Sequence, residues 1–502
     1  MDQGIAVGPS RTADVAPDRA SGATPSPAKS LRRPVALPRA FSADEIATVA
    51  AVHFGDDLLI DVLRQPAVLG LLMIVSFMTL IMTRRLSAIT ALILTPVVFG
   101  LLAGAGAGVG EMMVKGVTDL TPTALMLAFA VLYFGLMIDV GLFDPLVRLV
   151  LRTVGDDPVR VTVGTALLAT IVSLDGDGAT TALVTISAML PIYRRLGLNP
   201  LILALMLGIC ASVTNLLPWG GPTARAASAL GIDQSLLFLP MMPTMLAGLG
   251  FGVLVAYGLG LAERKRLGRL ALRPLPLAET QADSPADPGE DLSARRPRLF
   301  VFNLALTIVL MVGLLSGLAP LPVLMMCAFA IALIVNYPAL KLQRERIAAH
   351  ADNVVNIVLL IFAAGAFTGI LSGTGMVSAM ASSLVAAIPP ELGPYLAPIT
   401  ALIGMPLTFF MSNDAYYFGI LPVIAETASH YGIPPEAIAR AALTSLPIHA
   451  LSPLIAAIYL VCGLLEVDVG ALQRFALKWA VASSLVMIAA ALASGAFLFR
   501  VG

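Results

Sequence analysis

We predict that the chain is an all-α polytopic membrane protein built from two inverted repeats. Its composition is the first reason: 58% of the residues are hydrophobic and only 12% are charged, whereas soluble domains carry about 25% charged residues. The second reason is a pattern of short apolar arm, polar tip and second apolar arm that occurs twice. The third is an internal repeat, which places the two occurrences at corresponding positions.

The composition also argues against several kinds of protein. Lys and Arg together number 31, as do Asp and Glu, so the formal net charge is zero and no basic domain suggests a nucleic-acid partner. The three cysteines form no C-x-x-C pair, and the four histidines have no metal-ligand spacing. We therefore expect no permanently bound cofactor.

Polar stretches divide the chain into four parts. Residues 1–65 are rich in Pro, Ala and Ser and lack the continuous apolar core of a signal peptide, so we expect a disordered tail there. Residues 66–262 form the first membrane repeat, residues 263–299 a charged cytoplasmic linker, and residues 300–502 the second membrane repeat.

The first arm–tip–arm pattern covers residues 161–190. Its arms, Val161–Leu174 and Ala179–Leu190, are shorter than the roughly 20 apolar residues that a spanning helix needs. Between them lies tip 1, the Asp- and Gly-rich stretch Ser173–Thr181. We predict a re-entrant hairpin, whose irregular tip must be surrounded by protein or by a water-filled cavity. The alternative is an extramembrane loop between two short spans.

The pattern recurs in residues 394–427, where tip 2 is the stretch Ser412–Asp414. Each hairpin is followed by an uncharged segment that polar residues, Pro and Gly interrupt, at residues 200–222 and 441–465. We predict a discontinuous helix in each. Interrupted segments at corresponding positions of two halves are the best sequence indicator of a transporter's binding site.

A constant offset of 235 relates the two halves over this region. Matched residues are Gly197 and Gly432, Pro200 and Pro435, Pro218 and Pro453, and Asp233 and Asp468. Five crossings and one hairpin per half require that the halves be inverted, because five is odd. With the N-terminus outside, the basic loops, including Arg194–Arg195, Arg264–Arg269 and Lys341–Arg346, fall in the cytoplasm, as the positive-inside rule expects.

The tips and the helix breaks supply the candidate binding groups. Helix N-termini suit carboxylates, and carbonyl, hydroxyl and amide oxygens suit a hard cation. For Thr214 and Asn215 the alternative role is repair of the broken backbone, and for Gly220 and Gly221 it is close packing. The candidate substrate-binding residues are Asp175, Gly176, Asp177, Gly178, Thr180, Thr181, Thr214, Asn215, Gly220, Gly221, Ser412, Asn413, Asp414 and Ser452.

The tip acids Asp175, Asp177 and Asp414 would repel a bare polyanion, and neither tip contains Lys or Arg. We expect little compensation from Arg225, which the sequence places near the outer end of a broken helix. The tips therefore require a cation, either a metal or a proton. Asp139 and His449 are the candidates for proton coupling, with a structural ion pair or hydrogen bond as the alternative for each.

Four strings of residues resemble a known family. They are Asp175–Thr181, Asn215–Ser228, Ser412–Gly419 and Pro447–Pro453, and they look like signatures of the citrate–divalent metal–proton symporters, the CitMHS family of the ion transporter superfamily. The similarity runs from about Pro66 to the C-terminus.

This resemblance implies an elevator-type transporter that takes up citrate complexed with a divalent metal, Mg²⁺ or similar, together with protons. The metal belongs to the transported complex and is expected to contact Asp177 and Asp414. The expected setting is a multi-pass protein of the cytoplasmic (inner) membrane, acting as a homodimer. The tail at residues 1–65 departs from the family pattern.

Other functions are weighed against this one. A sodium-coupled di- or tricarboxylate carrier and a cation/proton antiporter would use the same scaffold. An intramembrane aspartyl protease would need two carboxylates that share one proton at close range, which acids on hairpin tips do not suggest. The chain has no nucleotide-binding signature, so we expect neither ATP-driven transport nor an enzyme.

Overall fold

The computed structural model describes residues 65–176, 178–267, 294–316 and 319–501. All regular structure in these ranges is helical, with no strand. The predicted class, an all-α membrane protein, agrees with this. The predictions for the tail up to residue 64, for most of the linker and for Asp177 concern residues outside the described ranges.

The first half contains helices whose bounds follow the predicted segments. They are α1 (Pro66–Met82), α2 (Ala88–Leu102), α3 (Gly108–Asp139), α4 (Asp144–Val154), α5 (Pro158–Val172), α6 (Gly178–Leu196), α7 (Pro200–Thr214), α8 (Gly221–Leu230) and α9 (Gln234–Arg266). A short 3-10 turn, Ser173–Asp175, follows α5. The break between α7 and α8 is the first helix break, residues 215–220.

The second half has a comparable series. It comprises α10 (Phe300–Ser316), α11 (Leu321–Asn336), α12 (Leu340–Ala349), α13 (Ala351–Gly373), α14 (Met376–Ala387), α15 (Leu396–Phe410), a π-helix (Ala415–Ile420), α16 (Leu421–Ser429), α17 (Pro435–Leu443), α18 (Leu446–His449), α19 (Ala456–Leu465) and α20 (Val469–Ala493). The second helix break, residues 450–455, lies between α18 and α19. The helix α17, which precedes α18, begins at Pro435, six residues ahead of the predicted segment at 441–465.

Corresponding helices begin at corresponding residues. The helices α8 and α19 start at Gly221 and Ala456, and the helices α9 and α20 start one residue after Asp233 and Asp468, which are 235 positions apart. Both aspartates cap their helix, because Asp233 accepts from the backbone N–H of Ser235 and Asp468 from that of Ala471. A capping carboxylate satisfies one of the free N–H groups of the first turn.

Two hydrophobic cores organise the packing. The first core contains residues of α5, α6, α7, α9 and α15 to α20, and the second contains residues of α1, α2, α3, α10, α11 and α13. The cores meet along α8 and the break before it: Ala226 and Ala227 belong to the first core, and Trp219 and Ala224 to the second. The first helix break and α8 therefore lie where the two cores adjoin.

A close crossing of α3 and α13 holds the second core together. A Cβ added to Gly116 would come within 2.0 Å of the Gly365 carbonyl oxygen, and one added to Gly369 within 2.3 Å of the Met112 carbonyl oxygen. Only glycine permits this approach, which is how small residues bring membrane helices into backbone contact.

Six of the described helical segments are long and apolar enough to cross a membrane: 108–139, 234–266, 297–314, 351–373, 393–410 and 469–493. The helix α3 has 32 residues, and Asp139 is the last of them. The helix α6 continues beyond the predicted arm to Leu196 and so carries Arg194 and Arg195 in its last turn.

Candidate functional site

Tip 1 is held against the first helix break by Trp219. Its indole Nε1–H donates to the Leu174 carbonyl oxygen at 2.8 Å, and its ring stacks on Phe134 of α3 with 4.7 Å between the ring centroids. Gly176 follows in the left-handed region, with φ of +81°, and a Cβ there would meet the indole at 3.3 Å. Glycine suits this position because its backbone adopts positive φ at little cost.

The first helix break satisfies much of its own backbone. The Thr223 hydroxyl donates to the Asn215 carbonyl oxygen at 2.9 Å, and the Thr214 hydroxyl donates to Cys210 O at 2.8 Å. Gly220 lies so close to Asn215 that an added Cβ would come within 2.1 Å of the Asn215 carbonyl oxygen. These contacts give Thr214 and Gly220 structural roles in the break.

Side chains at the second helix break and just before it contact backbone carbonyls in the last turn of α15. The Ser452 hydroxyl donates to the Phe409 carbonyl oxygen at 2.7 Å, and His449 Nδ1 lies 2.7 Å from the Thr408 carbonyl oxygen. The Phe409 carbonyl corresponds, at the offset of 235, to the Leu174 carbonyl that Trp219 binds. Each break therefore donates a side-chain hydrogen bond to the same position of the predicted hairpin.

Tip 2 leads directly into helix. Ser412 Oγ accepts from the Ala415 backbone N–H at 3.2 Å, as an N-cap does. The next six residues, Ala415–Ile420, form a π-helix, a rare element that is frequent at functional sites. The sequence pattern carried no indication of this π-helix.

An ion pair joins tip 2 to α8, the helix that follows the first helix break. Arg225 Nε donates to Asp414 Oδ1 at 2.7 Å, and the two side chains are only 21% and 17% exposed. Arg225 lies one turn inside α8, yet its Nη1 reaches back to Gly221, where an added Cβ would approach it within 3.0 Å. The expectation that no basic side chain compensates the tip acids is therefore wrong for Asp414.

Three buried polar atoms on tip 2, on the π-helix and at the end of α18 have no hydrogen-bond partner in the described part of the chain. They are Asn413 Oδ1, Tyr417 Oη and His449 Nε2. The charge of Arg225 acts on both Tyr417 and His449, so these groups lie near the pair. Because a carbonyl can only accept, His449 Nδ1 carries the hydrogen that binds Thr408, and Nε2 of the neutral ring remains an unused acceptor.

Asp139 lies elsewhere. Its carboxylate is 3.0 Å from His350 Nε2 and 3.5 Å from Arg346 Nη1, where the end of α3 meets the junction of α12 and α13. None of these partners belongs to a tip or to a helix break. The structure thus brings together Asp414, Asn413, His449 and the first helix break, but it places Asp139 in a separate cluster.

The remaining predicted residues are placed as follows. Gly178 begins α6, Thr180 is partly buried and Thr181 is fully buried, and the side chain of Asp175 lies outside what is described, as does Asp177. Among the described residues there is no group of three or more His, Cys, Asp or Glu side chains that could hold a metal ion.

Comparison with known proteins identifies the family. The model of the CitMHS family, described as citrate transporter, matches residues 77–445. The chain belongs to the CitMHS citrate transporter family. A citrate transporter of Bacillus subtilis (strain 168) is 53% identical over 433 residues, which cover 86% of this chain and 100% of that protein. A Mg²⁺/citrate complex secondary transporter of the same organism is 52% identical over 436 residues, 87% of this chain and 100% of that protein.

Solved structures are similar in fold. The YdaH transporter of Alcanivorax borkumensis matches with a TM-score of 0.54 at 14% identity, over 87% of this CitMHS protein and 100% of that chain. The MtrF protein of Neisseria gonorrhoeae matches with a TM-score of 0.52 at 15% identity, over 78% of this chain and 84% of that chain. The predictions of this family, and of a transporter rather than an enzyme, are confirmed.

Proposed function

We propose that this CitMHS protein is a secondary active symporter that takes up citrate as a complex with Mg²⁺ or a similar divalent metal, coupled to protons. The observation that carries the proposal is the Arg225–Asp414 ion pair between α8 and tip 2. It sets one positive and one negative charge side by side in a half-buried site. The relative named as a Mg²⁺/citrate complex secondary transporter, at 52% identity, supports the choice of cargo.

Charge decides between the complex and free citrate. Citrate at neutral pH carries about three negative charges, because carboxyl groups titrate well below pH 7. At about 4 Å, each like-charge contact with a tip aspartate costs roughly 4 kcal/mol at an effective dielectric near 20. Arg225 offsets one such contact, but the sequence of tip 1 contains two further aspartates, Asp175 and Asp177. A divalent metal cancels two charges of the cargo and gives the aspartates a ligand.

We assign the candidate residues the following roles. A citrate carboxylate binds the Arg225 guanidinium and the N-terminal end of α8 at Gly220–Gly221, where the helix dipole is positive. The metal of the cargo is bound by Asp414 and Asp177, and Asn413 and Asn215 supply further oxygen ligands. Gly176, Gly178, Thr180, Thr181, Ser412 and Ser452 shape and cap the two tips.

We further propose that the two halves are inverted repeats with re-entrant hairpins. Three contacts support inversion. Arg440 donates both to Leu236 O near the start of α9 and to Ala496 O just after α20, so these corresponding helices run in opposite directions.

The other two contacts agree. The end of α3, at Asp139, meets the start of the corresponding helix α13. The end of α6, just before the first discontinuous helix begins, pairs with the residue after α19 through Arg194 and Glu466, 3.0 Å apart. The first discontinuous helix therefore begins near the point where the second one ends. The two hydrophobic cores would be the moving and the static part of an elevator, and we expect two copies to form a homodimer in the cytoplasmic membrane.

For the proton, the site favours His449 and the tip acids over Asp139. His449 Nε2 is buried, unused and under the influence of Arg225 and Asp414. Asp139 is already engaged by Arg346 and His350. A group that protonates as the cargo leaves and deprotonates as it binds must face the cargo, which His449 does more directly.

The test is uptake of labelled citrate into proteoliposomes containing the full-length protein, with an inward proton gradient. Uptake should rise with added Mg²⁺, fall when a stronger chelator removes the metal, and not depend on sodium. Citrate entry at the full rate in metal-free buffer, driven by sodium alone, would instead support a sodium-coupled carboxylate carrier. Metal entry without citrate, in exchange for protons, would support an antiporter.

A further inference from the structure

The Arg225–Asp414 ion pair joins residues from the two halves, 189 positions apart in sequence. The corresponding positions in the repeat are Leu460 and Ala179, so the pair has no counterpart by symmetry. Both side chains are mostly shielded from solvent. The described structure therefore contains one asymmetric, self-neutralised charge pair where the two halves meet at tip 2.

We propose that this ion pair is the element that restricts the site to the metal–citrate complex, because the pair can be opened only by a cargo that replaces both of its charges at once. This inference rests on the proposed function and concerns how the same site rejects each half of the cargo. Arg225 is then the specificity-determining residue for the anion and Asp414 for the cation.

The reasoning compares three cargoes. Free citrate that takes Arg225 leaves Asp414 unpaired beside a polyanion. A free metal ion that takes Asp414 leaves Arg225 unpaired beside a cation. A partly buried charge that loses its partner is destabilised far more than an exposed one. The complex offers a carboxylate to Arg225 and a metal to Asp414, so both charges exchange one partner for another.

The surroundings of the pair are suited to this exchange. Asn413 Oδ1 and Tyr417 Oη are buried and have no partner among the described residues, so they can bind an incoming ligand without breaking other hydrogen bonds. Because Gly221 has no side chain, the Arg225 guanidinium has room beside it. Rejection of each incomplete cargo by an internal charge is specificity achieved through repulsion.

The test compares the wild-type protein with Asp414→Asn and Arg225→Gln. The thermal unfolding midpoint of the purified full-length protein is measured against citrate with a metal chelator, against Mg²⁺ alone, and against both together. The wild type should be stabilised only by the two together. Asp414→Asn should also be stabilised by metal-free citrate, at a concentration at least about tenfold lower than the highest that leaves the wild type unaffected. Arg225→Gln should be stabilised by Mg²⁺ alone.

The double variant Arg225→Gln/Asp414→Asn leaves no unpaired charge, so it remains informative if a single variant does not fold. In the wild type, Mg²⁺ should strongly lower the half-saturating citrate concentration. In the double variant, the factor by which Mg²⁺ lowers it should be about tenfold smaller. Glu466→Gln, which breaks an exposed ion pair with Arg194, is the matched control and should behave as the wild type does.

If every variant that folds requires both halves of the cargo as strictly as the wild type does, the ion pair does not set the selectivity and the inference is overturned. A wild type that no combination of citrate and Mg²⁺ stabilises would instead contradict the proposed function. The two failures are therefore distinguishable.

Discussion

Replacement of Trp219 by Phe tests how tip 1 is held in place. Phe keeps an aromatic ring against Phe134 but lacks the N–H that donates to the Leu174 carbonyl oxygen at 2.8 Å. A hydrogen bond of this kind contributes about 1 kcal/mol net, which corresponds to roughly a fivefold change in an equilibrium constant. We expect the half-saturating concentration of metal–citrate to rise about fivefold, because tip 1 is then less firmly held against the first helix break.

The chain provides a matched control. Trp479 is the only other tryptophan, and its Nε1 is buried with no partner among the described residues. Trp479→Phe therefore loses no hydrogen bond, and we expect uptake to be unchanged.

The control also supplies a second measurement. In the Trp479→Phe protein, Trp219 is the sole indole, so its fluorescence reports on tip 1 directly. Addition of metal–citrate should shift this emission. Uptake by Trp219→Phe equal to that of Trp479→Phe, with no shift of the Trp219 emission on binding, would refute the role given to this contact.

Three further predictions concern the fold and the proton. Cysteines introduced beside Arg266 should be labelled only from the cytoplasm and those beside His430 only from outside, and labelling from one face would contradict inverted repeats. Gly116→Leu should lower the unfolding midpoint strongly, because its Cβ would meet a backbone carbonyl, whereas Gly250→Ala, with open space at its Cβ, should be neutral or slightly stabilising. His449→Gln should alter the pH dependence of uptake, and His430→Gln should not; unchanged pH dependence in His449→Gln would remove this histidine from proton coupling.

The helix pattern was predictable because it depends on local sequence. Proline at the start of helices and the capping aspartates Asp233 and Asp468 mark boundaries wherever they occur. The constant offset of 235 between such markers is visible without structure, and the observed helices begin at the positions that it relates. Helix lengths were less predictable: α3 extends well beyond its apolar stretch because α13 packs against its first turns.

The contact of Arg225 with a tip aspartate was not predicted from the sequence. The position of Arg225 one turn inside α8 suggested that its charge lay away from the break. Helical side chains point towards the N-terminus of their helix, however, and arginine is long enough to bring its guanidinium back to Gly221. The direction of the side chain could have been inferred, but its partner Asp414, 189 residues away, could not.

The environment of Asp139 shows the other limit. From sequence alone, a carboxylate in an apolar segment suggests a functional site. Its partners Arg346 and His350 lie 207 and 211 residues away, and only the packing of α3 against α13 brings them into contact. The same holds for His449, whose bond to the Thr408 carbonyl depends on how the second helix break packs against α15.

The most direct test of the proposed function is a dual-label uptake experiment on the wild-type protein in proteoliposomes. Citrate and a divalent metal carry separate labels, and both are counted inside the vesicles over the initial rate. We predict that the two enter in equal amounts and that removal of either abolishes entry of the other. Citrate accumulation without metal, or metal accumulation without citrate, would contradict the proposal that the complex is the transported species.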